Sequence, residues 1–148
     1  MQNGPEQRWP PEAERRLREV GWHPGRSLST ADWEHVLREQ GHFAIHPAAQ
    51  QFLAEFGGLT LTRVFEGSIA PVSAETFFDP TLAKWDQEIF EDLSEGAGAE
   101  PYSIGMKNNR NAYLGMTTTG AVYYGMDDAF LLAETGDEAV EKIFGGEA

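Results

Sequence analysis

His46-Pro47-Ala48-Ala49-Gln50-Gln51-Phe52-Leu53-Ala54-Glu55-Phe56-Gly57-Gly58-Leu59-Thr60-Leu61-Thr62 carries two hydrophobic periods, one on each side of a glycine pair. Before the glycines, Phe52, Leu53 and Phe56 fall at steps of one and three, the buried stripe of a helix that Pro47 opens and His46 caps. After them, Leu59 and Leu61 alternate with Thr60 and Thr62, the period of a strand buried on one face, and Val64 and Phe65 continue it. A helical period giving way to a strand period predicts an α+β chain.

N-terminal to this stretch the helical period recurs twice. Pro11 suits a first helical turn, with Ala13, Leu17 and Val20 on one face and Gly21 closing the helix. Trp22 to Leu28, with Pro24 and Gly25, reads as a turn presenting Trp22 and Leu28 to the core. Ser29 then caps a helix in which Trp33, Val36 and Leu37 form a stripe ended by Gly41. Met1 to Pro10 is polar and proline-broken, with Trp9 as its large apolar group, so residues 1–10 are expected to be a flexible tail and 11–148 one domain.

Toward the C-terminus, Ile69 and Val72 flank a proline-broken strand. Thr81 to Leu93 returns to helical spacing, with Trp85, Ile89, Phe90 and Leu93 on one side and Asp86, Glu88, Glu91 and Asp92 mostly on the other. Ser94 to Glu100 reads as a loop. Three strands should follow: Tyr102 to Met106, Ala112 to Met116 and Ala121 to Met126, the last two joined by Thr117-Thr118-Thr119-Gly120. A helix over Asp137 to Phe144 with Val140, Ile143 and Phe144 inward completes the chain.

The 148 residues suffice for one core, and cysteine is absent, so neither a disulfide framework nor a thiolate metal site is expected. No apolar run near the N-terminus resembles a signal peptide and none is long enough to span a bilayer, which makes a cytoplasmic protein the default expectation. Formal net charge is −13, and it is lopsided: residues 1–63 hold seven basic and eight acidic side chains, residues 64–148 four and sixteen. Such a field repels phosphate backbones and anionic lipid and speeds encounter with a basic protein. An acidic surface also serves solubility, and magnitude by itself does not choose between these roles.

Little in the sequence names a reaction. His42 and His46 are four apart, but the chain between them reads as extended, which separates them by roughly 13 Å at about 3.3 Å per residue, too far to share one metal ion. Acidic pairs such as Asp127-Asp128 are too common here to mark acid/base catalysis, and no nucleophile elbow, phosphate loop or dinucleotide fingerprint is present. Neither a cofactor nor a metal is expected. Tyr123 and Tyr124 are neighbours in a strand and must face opposite ways, so one of them should point outward.

The blocks Gly21-Trp22, Pro24-Gly25-Arg26, Trp33, Leu37, Gly41, His46, Ala48-Ala49, Phe52-Leu53 and Glu55-Phe56-Gly57-Gly58-Leu59, followed by Leu114-Gly115 and by Gly120 with Val122-Tyr123, resemble the third immunity subfamily of the SUKH superfamily. The resemblance runs from about Leu17 to about Phe144. It implies short N-terminal helices packed beside a curved, mostly antiparallel sheet with an acidic helix between strands. It also implies a non-enzymatic protein that binds and neutralises a toxin domain of a polymorphic toxin system. Trp22, Pro24, Gly25, Trp33, His46, Phe52, Phe56, Gly57 and Gly58 are then residues that define the fold and leave the partner open.

With the charge split, that resemblance makes a basic, nucleic-acid-directed toxin domain the expected partner, its groove covered by an acidic face, with no nucleic acid or membrane bound directly and a monomer favoured. Glu66, Asp86, Glu88, Glu91 and Asp92 are the expected steering charges and Tyr124 the expected aromatic anchor. A scaffold or regulatory adaptor of the same fold would look alike in sequence and would lack a toxin gene beside it. A hydrolase would instead need a deep cleft with convergent carboxylates.

Overall fold

The computed structural model of the chain describes residues 8–41, 43–65, 72–84, 86–107, 112–126 and 128–145. In chain order these form α1 (Pro11–Glu19), α2 (Ala31–Val36) running into a π-helical turn (Leu37–Gly41), α3 (Pro47–Phe56), β1 (Thr60–Phe65), β2 (Val72–Phe77), a 3-10 turn (Pro80–Ala83), α4 (Gln87–Ala97), β3 (Tyr102–Lys107), β4 (Ala112–Met116), β5 (Val122–Gly125), β6 (Ala129–Ala133) and α5 (Gly136–Gly145). The six strands make one sheet in sequence order, every neighbouring pair antiparallel. This is the α+β arrangement expected from the change of period at Gly57-Gly58. Register shifts between Ser103 and Gly105 and between Val122 and Tyr123 mark two irregularities where strands bend.

Two hydrophobic clusters lie on opposite faces of the sheet. On the first, Leu114, Met116, Val122 and Ala133 pack with Leu17 of α1, Phe52, Leu53 and Phe56 of α3, and Val140 and Phe144 of α5. On the second, Met106 and Tyr113 pack with Phe90 and Leu93 of α4 and Ala83 of the 3-10 turn. Cross-strand neighbours share a face, and the pairs Leu114↔Tyr124↔Phe130 and Gly115↔Tyr123↔Leu131 therefore assign Tyr124 to the first face and Tyr123 to the second.

Local signals act largely as their chemistry dictates. Trp22 N–H bonds to Leu17 O and Gly21 N–H to Arg18 O, closing α1 in a Schellman pattern. His46 caps α3: its Nδ1 accepts from Ala49 N–H at 3.3 Å, which leaves Nε2 to donate to Met116 O at 2.9 Å. One side chain thus ties a helix start to the end of β4. His46→Ala removes both bonds and is expected to lower the unfolding free energy by about 1–3 kcal/mol in urea denaturation. At Gly57 a Cβ would meet the Trp33 ring and Leu53 O at 2.5 Å, so the glycine lets α2 and the end of α3 touch.

Several expectations are corrected. The folded region begins before Pro11: Trp9 is only 2% exposed, stacks edge-on against Trp22 at 5.3 Å, and donates from Nε1 to Asp137 O at 2.9 Å. Its indole finds both apolar cover and a hydrogen-bond partner, while Arg8 bridges Glu55 and Asp137. Leu28 is exposed, because the turn holding it bonds along α3 through Leu28 N–H to Ala54 O. The N-cap of α2 is Thr30, with Ser29 Oγ accepting from Ala31 N–H.

The helix expected over Thr81 to Leu93 is two pieces. Asp79 caps a 3-10 turn through Thr81 N–H, and Asp86 adopts non-helical angles before α4 starts at Gln87. α4 then runs through the stretch read as a loop, to a left-handed Gly98. The C-terminal third holds four strands, because Ala129-Phe130-Leu131-Leu132-Ala133 forms β6 at the sheet edge. His42, Ile69 and Trp85 lie outside the described residues.

Candidate functional site: the outer face of α4 and the cleft beside it

α4 buries Phe90 and Leu93 and leaves Glu88, Glu91, Asp92 and Glu95 exposed. These four stand at i, i+3, i+4 and i+7, so they form one stripe along the outer face. Like charges at these spacings cost a helix about 0.2–0.5 kcal/mol per pair, and Glu95 in the last turn opposes the helix dipole as well. None of the four makes an ion pair among the described residues.

α1 is the contrast. There Arg15 bridges Glu12 and Glu19, Arg16 bridges Glu12, and Arg18 bridges Glu14, so its carboxylates are neutralised within the helix. Among the described residues the two helices thus differ in the pairing of their carboxylates as well as in their charge. Beyond the stripe, Asp137 is held by Arg8, Asp79 caps its 3-10 turn, and Glu138 accepts from Glu134 N–H.

The expected partner-binding residues do not all converge. Glu88, Glu91 and Asp92 share the stripe. Asp86 is half-buried and accepts a hydrogen bond from the Tyr113 hydroxyl, which fixes the start of α4 on the sheet and takes this carboxylate out of the surface set. Tyr124 lies on the opposite sheet face, its ring 5.5 Å from Phe130 and 4.5 Å from Lys107 Nζ, beside a cation instead of the acids. Glu66 lies outside the described residues. The half-exposed tyrosine on the α4 side is Tyr123, opposite Leu131, which is 49% exposed. Strand alternation in the sequence could have offered Tyr123 as readily as Tyr124.

Between α4 and the extended segment leading into α3 lies a cleft of about 590 Å³, its lining drawn from Phe43, Ala44, His46, Gln87, Phe90, Glu91, Ser94, Glu100, Pro101, Tyr102 and Thr118. Phe43 packs edge-on against Phe90 at 5.2 Å and against Tyr102 at 6.1 Å. Glu91 and Glu100 are exposed carboxylates of this lining. Sequence reading missed the cleft because its residues come from four separated segments. Among the described residues no three His, Cys, Asp or Glu side chains gather as metal ligands, and no helix is long and apolar enough to cross a membrane.

Two phenols near this region are held above the ordinary phenol range. Burial raises Tyr113, assisted by its bond to Asp86, and burial raises Tyr102, assisted by Glu34. A raised folded-state value contributes stability that is complete below the unfolded phenol value and is lost as pH climbs through the folded one, so unfolding should ease above about pH 10. The Tyr102 hydroxyl is buried without a hydrogen-bond partner among the described residues. Tyr102→Phe removes an unsatisfied group, and is expected to leave stability at pH 7 unchanged or raise it by about 1 kcal/mol while weakening the alkaline decline. Urea unfolding at both pH values measures this, and a loss beyond about 1 kcal/mol at pH 7 would show the hydroxyl to be bonded.

The family model described as SUKH-3 immunity protein matches residues 9–146 of the chain. No curated protein and no solved structure matches it.

Proposed function

The chain belongs to the SUKH-3 immunity protein family, and from that membership we propose that it neutralises a basic, nucleic-acid-directed toxin domain by laying the outer face of α4 against the toxin's cationic groove. The observation that carries this reading is the contrast between two surface helices. Carboxylates of α1 are paired with arginines of the same helix, whereas Glu88, Glu91, Asp92 and Glu95 stand in one row without an ion pair among the described residues, at a cost to α4 itself. A partner that supplies the missing cations relieves that repulsion, so binding gains what the free helix forgoes.

The row steers encounter, and contact area comes from apolar groups beside it. Rim charges act mainly on association rate, and desolvated aromatic or aliphatic anchors act on dissociation. Tyr123 and Leu131, on the same sheet face as α4, are better placed for that role than Tyr124. In this reading the protein is a cytoplasmic monomer that performs no chemistry and touches neither nucleic acid nor lipid directly.

Co-expression of the chain with each toxin module encoded in its genomic neighbourhood tests the function. Survival with one module, together with a stable complex of the two purified proteins, is the expected result. Failure to protect against every neighbouring module would overturn the immunity role.

A further inference from the structure

We propose that the cleft between α4 and the Phe43–His46 segment seats an arginine side chain of the partner, its guanidinium placed against the aromatic floor and between the carboxylates of Glu91 and Glu100. This rests on the toxin-binding reading for its biological setting and on the cleft's own chemistry for its ligand. The floor is the half-buried Phe43 backed by the buried Phe90 and Tyr102, whose ring centroids lie 5.2 Å and 6.1 Å from that of Phe43. Pro101 adds apolar surface to the lining. Two exposed carboxylates stand in the lining, and no lysine or arginine of the chain does.

Aromatic faces attract cations through their quadrupole, and carboxylates pair with them directly. Arginine answers both demands better than lysine. Its guanidinium is planar and weakly hydrated, stacks on rings, and offers a fork of donors to carboxylates, whereas an ammonium is compact and strongly hydrated. The volume of about 590 Å³ holds such a side chain together with part of the loop that carries it.

Elsewhere the protein covers aromatic rings at the margin of its core with its own cations: Arg8 lies over Trp9, Arg18 over Trp22 and Lys107 over Tyr124. Among the described residues no such cation lies over Phe43, Phe90 or Tyr102. The cleft is thus acid-rimmed and aromatic-floored, no cation of the described residues lines it, and it opens beside the acidic row of α4.

The test has two arms. In the first, the free protein is titrated with N-acetyl-arginine methylamide and, separately, with the neutral norleucine analogue, while backbone amides are followed by heteronuclear NMR. Saturable shifts at Ala44, Ser94 and Thr118 with the arginine probe alone are expected, weakened at least fivefold in the Glu91→Gln/Glu100→Gln variant. Equal shifts with norleucine, or none at the cleft, would overturn the assignment. In the second arm, Ala44→Trp fills the cleft from an exposed position and should weaken the toxin complex at least tenfold while leaving the unfolding midpoint in place. Wild-type affinity in that variant would show that the partner does not use the cleft. If the unaltered protein binds no neighbouring toxin, the immunity reading falls, and the titration still decides whether the cleft selects a guanidinium.

Discussion

Glu88→Lys, Glu91→Lys and Asp92→Lys combined are expected to slow association with the cognate toxin at least tenfold at low ionic strength and to flatten or invert its salt dependence. Three reversals along one row replace attraction by repulsion where a cationic partner approaches, and steering of this kind changes on-rates by factors of about 10 to 1,000. Screening confines the effect: at 0.15 M salt the Debye length is about 8 Å, so the difference between variant and parent should shrink as salt rises. Folding should not suffer, since the three side chains are exposed, their like-charge spacing is kept, and lysines at 91 and 92 gain the opposite charge of Glu95 at i+4 and i+3.

The control is Glu12→Lys, Glu14→Lys and Glu19→Lys on α1, which alters the net charge by the same amount at a helix whose carboxylates are already paired. Stopped-flow association over a salt series compares the two. Equal slowing in both variants would mean that total charge, and not the α4 face, governs encounter. An unchanged rate in the α4 variant would remove that face from the interface.

Gly105→Ala should be among the most damaging single methyl groups that can be added to the sheet, together with Gly125→Ala, whose Cβ would lie 1.8 Å from Asp128 O. Gly105 sits at the β3 irregularity with φ +149°, and a Cβ there would lie 1.9 Å from Phe77 O and 3.0 Å from the Phe78 Cα. These obstacles are backbone atoms, so no rotamer change relieves them; β2 must move off β3 near the pair Phe77↔Met106. Phe78 N–H to Leu59 O and Gly58 N–H to Phe78 O, which tie β2 to the end of α3, would be displaced with it.

A loss above about 3 kcal/mol is expected, a large part of the 5–15 kcal/mol that typically holds a domain together. Gly98→Ala makes the comparison: its φ is +73° but nothing lies within 4 Å of the added carbon, and about 1 kcal/mol is expected there. Urea unfolding of the two variants separates steric from conformational cost. A Gly105→Ala protein within about 1 kcal/mol of the parent would mean that β2 can retreat freely from β3.

Legibility in the sequence followed the range of the interactions involved. Phe52, Leu53 and Phe56 declare a buried helical stripe, and Gly120 declares a hairpin, whose Gly120 N–H bonds to Thr117 O, because these signals are set by neighbours within a few positions. The acidic row of α4 was visible for the same reason, although its helix begins later and ends later than its spacing suggests. β6 escaped notice because five apolar residues without alternation fit a strand or a buried helix equally well. Trp9 escaped because its partners, Trp22, Phe56 and Asp137, are 13 to 128 positions away.

The amino-acid order alone determined the α+β class, the faces of the helices, the lopsided charge and the likeness to an immunity family, since each is carried by residue type and short spacing. Tertiary structure decided which carboxylates stay free, which tyrosine accompanies them, and that an aromatic-floored cleft opens beside α4. Alternation states that Tyr123 and Tyr124 part company, but the helix that covers one sheet face chooses between them. Likewise an aspartate is a surface charge or an internal acceptor according to what packs against it, and for Asp86 that is the hydroxyl of Tyr113, 27 positions along the chain.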